Sequence, residues 1–431
     1  MTEAASDLAV RRFGWLVTIV FAVIVIVAVL GARLADGSII QGFLRSVQVI
    51  DLMLPAIFFV VATQLATAAW LVGRDAFSTG FLFLLMATFS AVAGHFVVDT
   101  RADTAIVITS LLFLVKEIEF LLVLGITALF AWRNPDATVR ILGAGCVFLG
   151  FWSIKEYFAP SGLYYMGLPF ERGPSQTGAV YALFTFMWVL VAIRRWDGAG
   201  LLFRRGLAPL ILILLIFGNL GSLSRTGQAG LLAGLGIMLV ARARSRAVVV
   251  LLVPIAYLVY LLAFTSSTLL LDAGFANRWT GAADNFPDRV EKWVEMFYFQ
   301  RDNPWTFLTG AGFNSPNRYV LYRFSGITDL GNVLAVDNGY VRRLFELGLI
   351  GTGLYFLFLF RLFGNLWRSR YGAVAAGAFA AMATIAVAIE SFQVTQTAIA
   401  FFLFSGVALG LAARERNKFQ AGSYPPTFAR A

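Results

Sequence analysis

Apolar runs long enough to cross a membrane recur along the whole chain, and short polar connections separate them. A helix needs roughly 20 mostly apolar residues to span the hydrocarbon core of a bilayer. About twelve runs meet this requirement. The pattern therefore predicts an all-α, polytopic membrane protein with residues 1–431 in a single transmembrane domain. The predicted segments are 13–35, 51–73, 76–98, 104–132, 138–154, 177–193, 206–223, 226–241, 247–264, 341–361, 371–390 and 392–412.

The composition agrees with this class of protein and narrows the chemistry. Hydrophobic residues make up 59% of the chain, charged residues 13%, and the mean hydropathy is +0.78, whereas soluble domains are about a quarter charged. The single cysteine, Cys146, excludes an intramolecular disulfide, and the single histidine, His95, excludes most histidine-based catalysis and metal binding. We expect no metal site and no cofactor.

Basic residues occupy alternate connections. If the N-terminus is inside, every inner connection is basic, from Arg11 and Arg12 to the segment ARERNK at 413–418. This agrees with the positive-inside rule and predicts that both termini are cytoplasmic. Much of the net charge of +10 is then explained by topology, and no nucleic-acid partner is expected. Residues 419–431 are predicted to form a disordered cytoplasmic tail.

Two connections on the opposite side are longer than the others. The smaller covers 155–178, and the larger covers 265–340 and contains an amphipathic stretch at 288–300. Long loops that carry their own structure are typical of a functional site or a lid. We therefore expect short helices in the larger loop, and we expect the site there.

This outer side carries more cations than the positive-inside rule favours, and guanidinium groups bind phosphate in a bidentate manner. An anionic ligand is one explanation, and pairing with acids of the same loop, such as Asp284, Asp288 or Glu295, is the other. Arg225, in a short turn between two helices, either reaches the lipid headgroups or faces a cavity. The candidate cations are Arg172, Arg225, Arg289, Lys292, Arg342 and Arg343.

Two further segments have alternative interpretations. Lys116, Glu117 and Glu119 lie in an apolar run, where Lys116 and Glu119 form an ion pair by their spacing, or the group serves a proton relay or a substrate contact. The run also divides into two shorter pieces in another interpretation. The segment GAGFNSP at 310–316 is either a phosphate-cradling loop or a turn after Pro304.

Three motifs in order resemble the O-antigen ligase and polymerase superfamily of bacterial envelope glycan assembly. The first is LSRTG with Arg225, and the second is PDRVEKW with Arg289 and Trp293. The third is VDNGYVRRLFELGLIG, which begins with the pair Asp337 and Asn338. The resemblance covers roughly 205–365, and FERGPSQTG in the smaller outer loop extends it.

The resemblance implies a GT-C-like membrane glycosyltransferase in the bacterial inner membrane, with its active site facing the periplasm. The expected reaction polymerises polysaccharide repeat units by transfer from an undecaprenyl-diphosphate carrier to a hydroxyl of another lipid-linked unit. It is expected to be metal-independent and inverting. The expected partners are the undecaprenyl-diphosphate-linked oligosaccharide and the bilayer, and the binding of a chain-length regulator is left open.

The resemblance also suggests roles for individual residues. Asp337 would accept the proton of the acceptor hydroxyl, or it would only position a neighbouring arginine. The related ligases have a histidine at this place, so Asp337 favours a polymerase over a ligase. A transporter or flippase of lipid-linked glycans is the rival class, although no internal repeat is visible. The predicted catalytic residues are Asp337, Arg289 and Arg225, and the predicted substrate-binding residues are Arg172, Asn338, Trp293, Arg342, Arg343 and Lys292.

Overall fold

The structure is a computed structural model that describes residues 3–30, 49–98, 104–159, 167–169, 174–242, 282–313, 315, 338–388 and 395–423. These residues are almost entirely helical. In chain order the helices are α1 (Glu3–Leu30), α2 (Val49–Thr63), α3 (Leu65–Val72), α4 (Arg74–Val98), α5 (Thr104–Arg133), α6 (Pro135–Phe158), α7 (Pro174–Arg195), α8 (Ala208–Gly221), α9 (Arg225–Arg242), α10 (Ala282–Asp302), α11 (Pro304–Thr309), α12 (Gly339–Trp367), α13 (Gly372–Ala388) and α14 (Thr395–Ser423).

The helices have the length and composition of a polytopic membrane protein. Within the described ranges, 6 helices are long and apolar enough to cross a bilayer, or up to 7 if a bent pair counts as one span. Further apolar helices are shorter, among them α9 and α13. The predicted all-α, polytopic class is confirmed. A helix or a bent pair coincides with each predicted segment except 247–264, which lies outside the described residues.

The predicted segment 51–73 is not one straight helix, because α2 and α3 meet at Gln64 with a bend of 86°. The hydroxyl of Thr63 donates to the carbonyls of Phe59 and Val60, at 3.0 Å each. Such back-bonding often bends a helix. The Gln64 side-chain oxygen accepts a 2.7 Å hydrogen bond from Arg133 at the end of α5. The segment is therefore a broken span or a re-entrant element.

Helix α14 lies at the centre of the bundle. Its apolar stretch Gln396–Asn417 is 100% buried within the chain. It packs closely on α5, since a Cβ atom at Gly406 or Gly410 would overlap α5 backbone atoms at Leu124 or Ala128. Small residues permit this close approach between membrane helices. Helix α5 is therefore held firmly against the centre of the fold.

Three other predictions can be compared with the structure. The amphipathic stretch 288–300 lies within α10, as expected for a structured loop. Residues 167–169 of the smaller outer loop fold back on α6, where the Glu156 carboxylate accepts from the Gly167 amide at 3.1 Å. Helix α14 continues to Ser423, so residues 419–423 are helical and the predicted start of the tail is corrected. Residues 424–431 lie outside the described part.

Candidate functional site

The third motif begins helix α12, and Asn338 caps it. The Asn338 backbone is extended, and its side-chain oxygen accepts hydrogen bonds from the amides of Tyr340 at 2.9 Å and Val341 at 3.0 Å. These bonds satisfy amides that have no partner within the helix. Asn338 is only 7% exposed. Its neighbour Asp337 lies outside the described residues, and its role as a base stays a prediction.

Arg343 is paired inside the helix bundle. Its Nη1 lies 2.6 Å from Oε1 of Glu117 on α5. Its guanidinium carbon lies 4.6 Å from the ring centre of Tyr355, which lies further along α12. The Arg343 residue has 0% exposure and Glu117 has 3%.

Arg342 is paired within its own helix. Its Nε lies 3.0 Å from Oε1 of Glu346, one turn later, and its guanidinium carbon lies 5.7 Å from the ring centre of Phe113 on α5. Both residues are buried. A contact between substrate and either Arg342 or Arg343 stays a prediction.

The charged triplet of α5 supplies Glu117 to this site and a separate ion pair beside it. Lys116 Nζ lies 3.0 Å from Glu119 Oε2, which confirms the ion pair expected from their spacing. Helix α5 is continuous from Thr104 to Arg133, so the division of this run into two pieces is wrong. The cations and carboxylates balance, as expected where the surroundings are apolar and an unpaired charge is costly. The three ion pairs, Lys116 with Glu119, Arg342 with Glu346 and Arg343 with Glu117, are together called the charge network.

The depth of this network in the bundle follows from the helix geometry. The hydroxyl of Ser90 on α4 donates to the carbonyl of Glu346. With a rise of 1.5 Å per residue, Ser90 lies about 24 Å from the start of α4 and Glu117 about 24 Å from the end of α5. A hydrocarbon core is about 30 Å thick. The network therefore lies towards the end of the bundle at which α12 begins.

Helix α12 is broken at Gly348, which has φ 65° and ψ −176°. The break frees two carbonyls, and the loop after α11 occupies them. The amide of Ala311 donates to Phe345 at 2.9 Å, and the amide of Gly312 donates to Glu346 at 3.0 Å. Because these two amides are engaged, the interpretation of this segment as a phosphate-cradling loop is wrong.

The contact at the break requires glycine in both segments that meet there, α12 and the loop after α11. A Cβ atom at Gly348 would overlap Gly310 and the carbonyl of Leu308, and one at Gly310 would overlap the carbonyl of Glu346. Both glycines have positive φ, which other residues rarely adopt. The Gly-Leu-Ile-Gly end of the third motif thus has a structural explanation, since it lets the outer segment dock into the helix break.

The second motif packs on the beginning of the third. The side-chain amide of Gln300 on α10 donates to the carbonyl of Leu344 at 3.0 Å, and the rings of Phe299 and Phe345 are 5.5 Å apart. Trp293 packs against the same small apolar cluster as Phe345. Helix α10 therefore covers the first turns of α12.

Other cations of α10 differ in their surroundings. Lys292 is half-buried beside Trp293. Arg301 is exposed and lies 3.1 Å from Asp302, which confirms pairing with a loop acid for this arginine. Arg289 lies within α10, one turn before Trp293, and its side chain is outside the described atoms.

The first motif is a tight turn between α8 and α9. The hydroxyl of Ser224 accepts from the Gly227 amide at 2.9 Å, and Leu223 has a positive φ of 53°. Arg225 is the first residue of α9 and is half-buried. Gly178 of α7 lies directly against Ser224. The segment FERGPSQTG therefore ends beside this turn, although its Arg172 is not among the described residues.

Helix α13 connects the first and third motifs. Gly230 of α9 packs directly against Ile385 and the carbonyl of Ala381. The Tyr340 hydroxyl donates to the carbonyl of Ala383 at 2.8 Å. The starts of α9 and α12 therefore lie on either side of the same turns of α13. All three motifs occupy one end of the bundle.

An apolar groove of about 800 Å³ begins beside this end. It starts at Tyr340 and follows α12 past Phe356, Phe360 and Phe363 to Trp367, with α9 and α13 on its other side. The rings of Tyr340 and Phe356 stack with 5.5 Å between their centres, so the groove follows α12 only from Phe356 to Trp367, about 17 Å at 1.5 Å per residue. The groove therefore extends from the predicted site over about half the thickness of a hydrocarbon core.

Two members of the charge network were missed as site residues by sequence reasoning. The pairing of Glu346 with Arg342 follows from their spacing of four residues, so the signal was present. Glu117 was identified as an intramembrane acid, but nothing local indicated its partner. The apolar segments carry equal numbers of basic and acidic residues, and this balance was the available indication that they pair.

Comparison with known families agrees with these motifs. Residues 210–356 match the O-antigen ligase family, Wzy_C. The matched region contains Arg225, helices α10 and α11, and α12 to beyond the break at Gly348. The match supports the resemblance to the O-antigen ligase and polymerase superfamily. No curated protein matches the chain.

Proposed function

We propose that this chain belongs to the O-antigen ligase and polymerase superfamily and polymerises polysaccharide repeat units. It would transfer a glycan from undecaprenyl diphosphate to an acceptor hydroxyl of a second lipid-linked unit. One observation carries the proposal: the family match covers the three motifs, and these motifs meet at one end of a helix bundle. The proposal includes the inner-membrane location, cytoplasmic termini and a periplasmic site.

The apolar groove supports a lipid-linked donor. A polyprenyl chain is apolar, and the groove runs beside α12 for about half the thickness of a bilayer core. In this proposal the chain lies against Phe356, Phe360 and Phe363, which places the diphosphate near Tyr340. Both ends of the donor then have surroundings of the appropriate polarity.

The proposed chemistry requires stabilisation of a leaving diphosphate. Arg289 and Arg225, with Arg172, would bind its oxygens as an electrostatic clamp. The sugar–phosphate bond breaks, the acceptor oxygen bonds to the sugar, and its proton passes to the carboxylate of Asp337. A carboxylate is a weak base, so bond cleavage would precede proton transfer.

The remaining predicted residues would form the rim of the site. Lys292 and Trp293 on α10 are proposed to contact the glycan or the diphosphate. Asn338 caps α12, and Arg342 and Arg343 are ion-paired beneath it. We propose that these three residues act on the substrate mainly by fixing the position of the α12 start.

The alternative function is that of a ligase, which transfers the glycan to lipid A core or to another acceptor. The observation that favours it is the description of the matched family, O-antigen ligase. Asp337 at the place of the ligase histidine favours the polymerase instead.

The deciding experiment uses the purified full chain in liposomes with a radiolabelled, lipid-linked repeat unit. A ladder of longer lipid-linked glycans supports the polymerase. Product found only on an added lipid A core acceptor supports the ligase. Unchanged substrate would overturn both functions.

The role of Asp337 is tested in the same assay with Asp337→Asn. We expect a rate about 10²–10⁴-fold lower, as is usual for loss of a general base. Asp302→Asn is the matched control, because it makes the same chemical change at an exposed carboxylate. Full activity of Asp337→Asn would exclude the base assignment.

A further inference from the structure

A second polar cavity lies at the opposite end of the bundle from Asn338. It has a volume of about 570 Å³ and lies between the start of α6, the end of α7 and the connection to α8. Arg140, Arg194 and Arg195 line it, and the chain from Gly198 to Gly200 forms one of its walls. The family match begins at residue 210, so this cleft lies outside it.

The cleft is strongly cationic among its described lining residues. Asp136 is the acidic residue among them, and its side chain is 84% exposed. The Oδ1 atom of Asp136 lies 3.9 Å from Nη2 of Arg194. The Nε of Arg140 donates to the Asp136 backbone carbonyl at 3.3 Å. An exposed ion pair of this length contributes little. The positive-inside rule explains basic residues in a connection, but it does not require three guanidiniums to converge on one cleft.

The connection beside the cleft has the properties of a membrane-interface segment. Leu201 and Leu202 are 63% and 86% exposed, and they directly precede the span Phe203–Gly221. Arg204 stacks over Trp196, with 5.8 Å between the guanidinium carbon and the ring centre. Exposed leucines beside arginines and tryptophan are typical of chain that lies at the headgroup level.

We propose that this cleft binds the phosphodiester headgroup of an anionic phospholipid, while Leu201 and Leu202 lie among the acyl chains. The guanidiniums of Arg140, Arg194 and Arg195 supply the charge-assisted donors that phosphate prefers. The exposed leucines favour a lipid over a soluble phosphate. In the orientation predicted from sequence, the ligand belongs to the cytoplasmic leaflet. The inference does not depend on the proposed enzymatic function.

The test is native mass spectrometry of the purified full chain in a neutral detergent. Phosphatidylglycerol and phosphatidylcholine are titrated in parallel, and glycerophosphoglycerol serves as the soluble source of the same phosphodiester chemistry. We expect phosphatidylglycerol to bind at least tenfold more tightly than either. Equal binding of the two lipids would overturn the proposal. Equally tight binding of glycerophosphoglycerol would show that the cleft binds a soluble phosphodiester instead of a lipid.

Variants locate the binding site. Arg140→Gln, Arg194→Gln and Arg195→Gln should each weaken phosphatidylglycerol binding by about tenfold, the worth of one charge-assisted hydrogen bond. Arg414→Gln removes an exposed arginine of α14 outside the cleft and should bind as the unchanged chain does. Equal losses in all four variants would show a general charge effect and contradict the assignment. Leu202→Ser leaves the three arginines in place, and it should still weaken lipid binding because it removes an apolar contact with the acyl chains.

Discussion

Arg343 of α12 and Glu117 of α5 form an ion pair inside the helix bundle, with 2.6 Å between Nη1 and Oε1. Helix α5 packs on the central helix α14 through Gly406 and Gly410. The pair therefore joins the beginning of α12, where the third motif lies, to the most firmly packed part of the fold. The position of the candidate site depends on this buried contact.

Removing one partner of this pair should destabilise the protein strongly. Glu117→Gln leaves the Arg343 guanidinium buried without its carboxylate, and such changes cost about 3–5 kcal/mol. The double variant Glu117→Leu with Arg343→Met removes both charges and should recover most of the lost stability. Thermal unfolding in detergent measures the effect.

The control for the ion pair is Asp302→Asn, which breaks an exposed pair with Arg301. Exposed pairs contribute little, so its unfolding temperature should stay close to that of the unchanged chain. A stable Glu117→Gln protein, or a double variant less stable than the single one, would contradict the structural role.

The break in α12 should tolerate no side chain at Gly348. Gly348→Ala places a Cβ atom against Leu308 and Gly310 at a positive φ that alone costs about 1–2 kcal/mol. We expect a large fall in unfolding temperature and loss of glycan transfer. Gly353→Ala lies on the same helix with nothing within 4 Å of the added atom, and it should be neutral or slightly stabilising. Equal behaviour of the two alanine variants would show that the docked loop is not essential.

The sequence predicted the type and the approximate positions of the described helices well because hydropathy is a local property. The sequence did not predict the places where a helix bends or breaks within a run of uniform polarity. The break at Gly348 lies in an apolar run, and so does the bend at Gln64. The pair of Arg343 with Glu117 joins residues far apart in the chain, so no local spacing indicates it. The pair of Arg342 with Glu346 obeys helical spacing and was predictable.

The cap formed by Asn338 can be separated from any catalytic role. Asn338→Ala removes the acceptor for the amides of Tyr340 and Val341 and should cost about 0.5–2 kcal/mol of stability. Asn338→Ser retains a capping oxygen and should retain most of the stability. If Asn338 serves only as a cap, the serine variant also retains glycan transfer. A stable but inactive serine variant would show a direct contact with substrate.

The last prediction concerns Arg289, the arginine of the second motif on α10. A planar guanidinium binds a diphosphate in a bidentate manner, whereas an ammonium group does not. Arg289→Lys retains the charge, so a diphosphate clamp predicts at least about a tenfold loss of transfer rate, equal to one charge-assisted hydrogen bond. Arg301→Lys is the control, because Arg301 lies on the same helix, is 70% exposed and is paired with Asp302. We expect normal transfer from Arg301→Lys and normal unfolding temperatures for both. Normal transfer by Arg289→Lys would show that a point charge suffices, and equal losses in both variants would point to the overall charge of α10 instead of a clamp.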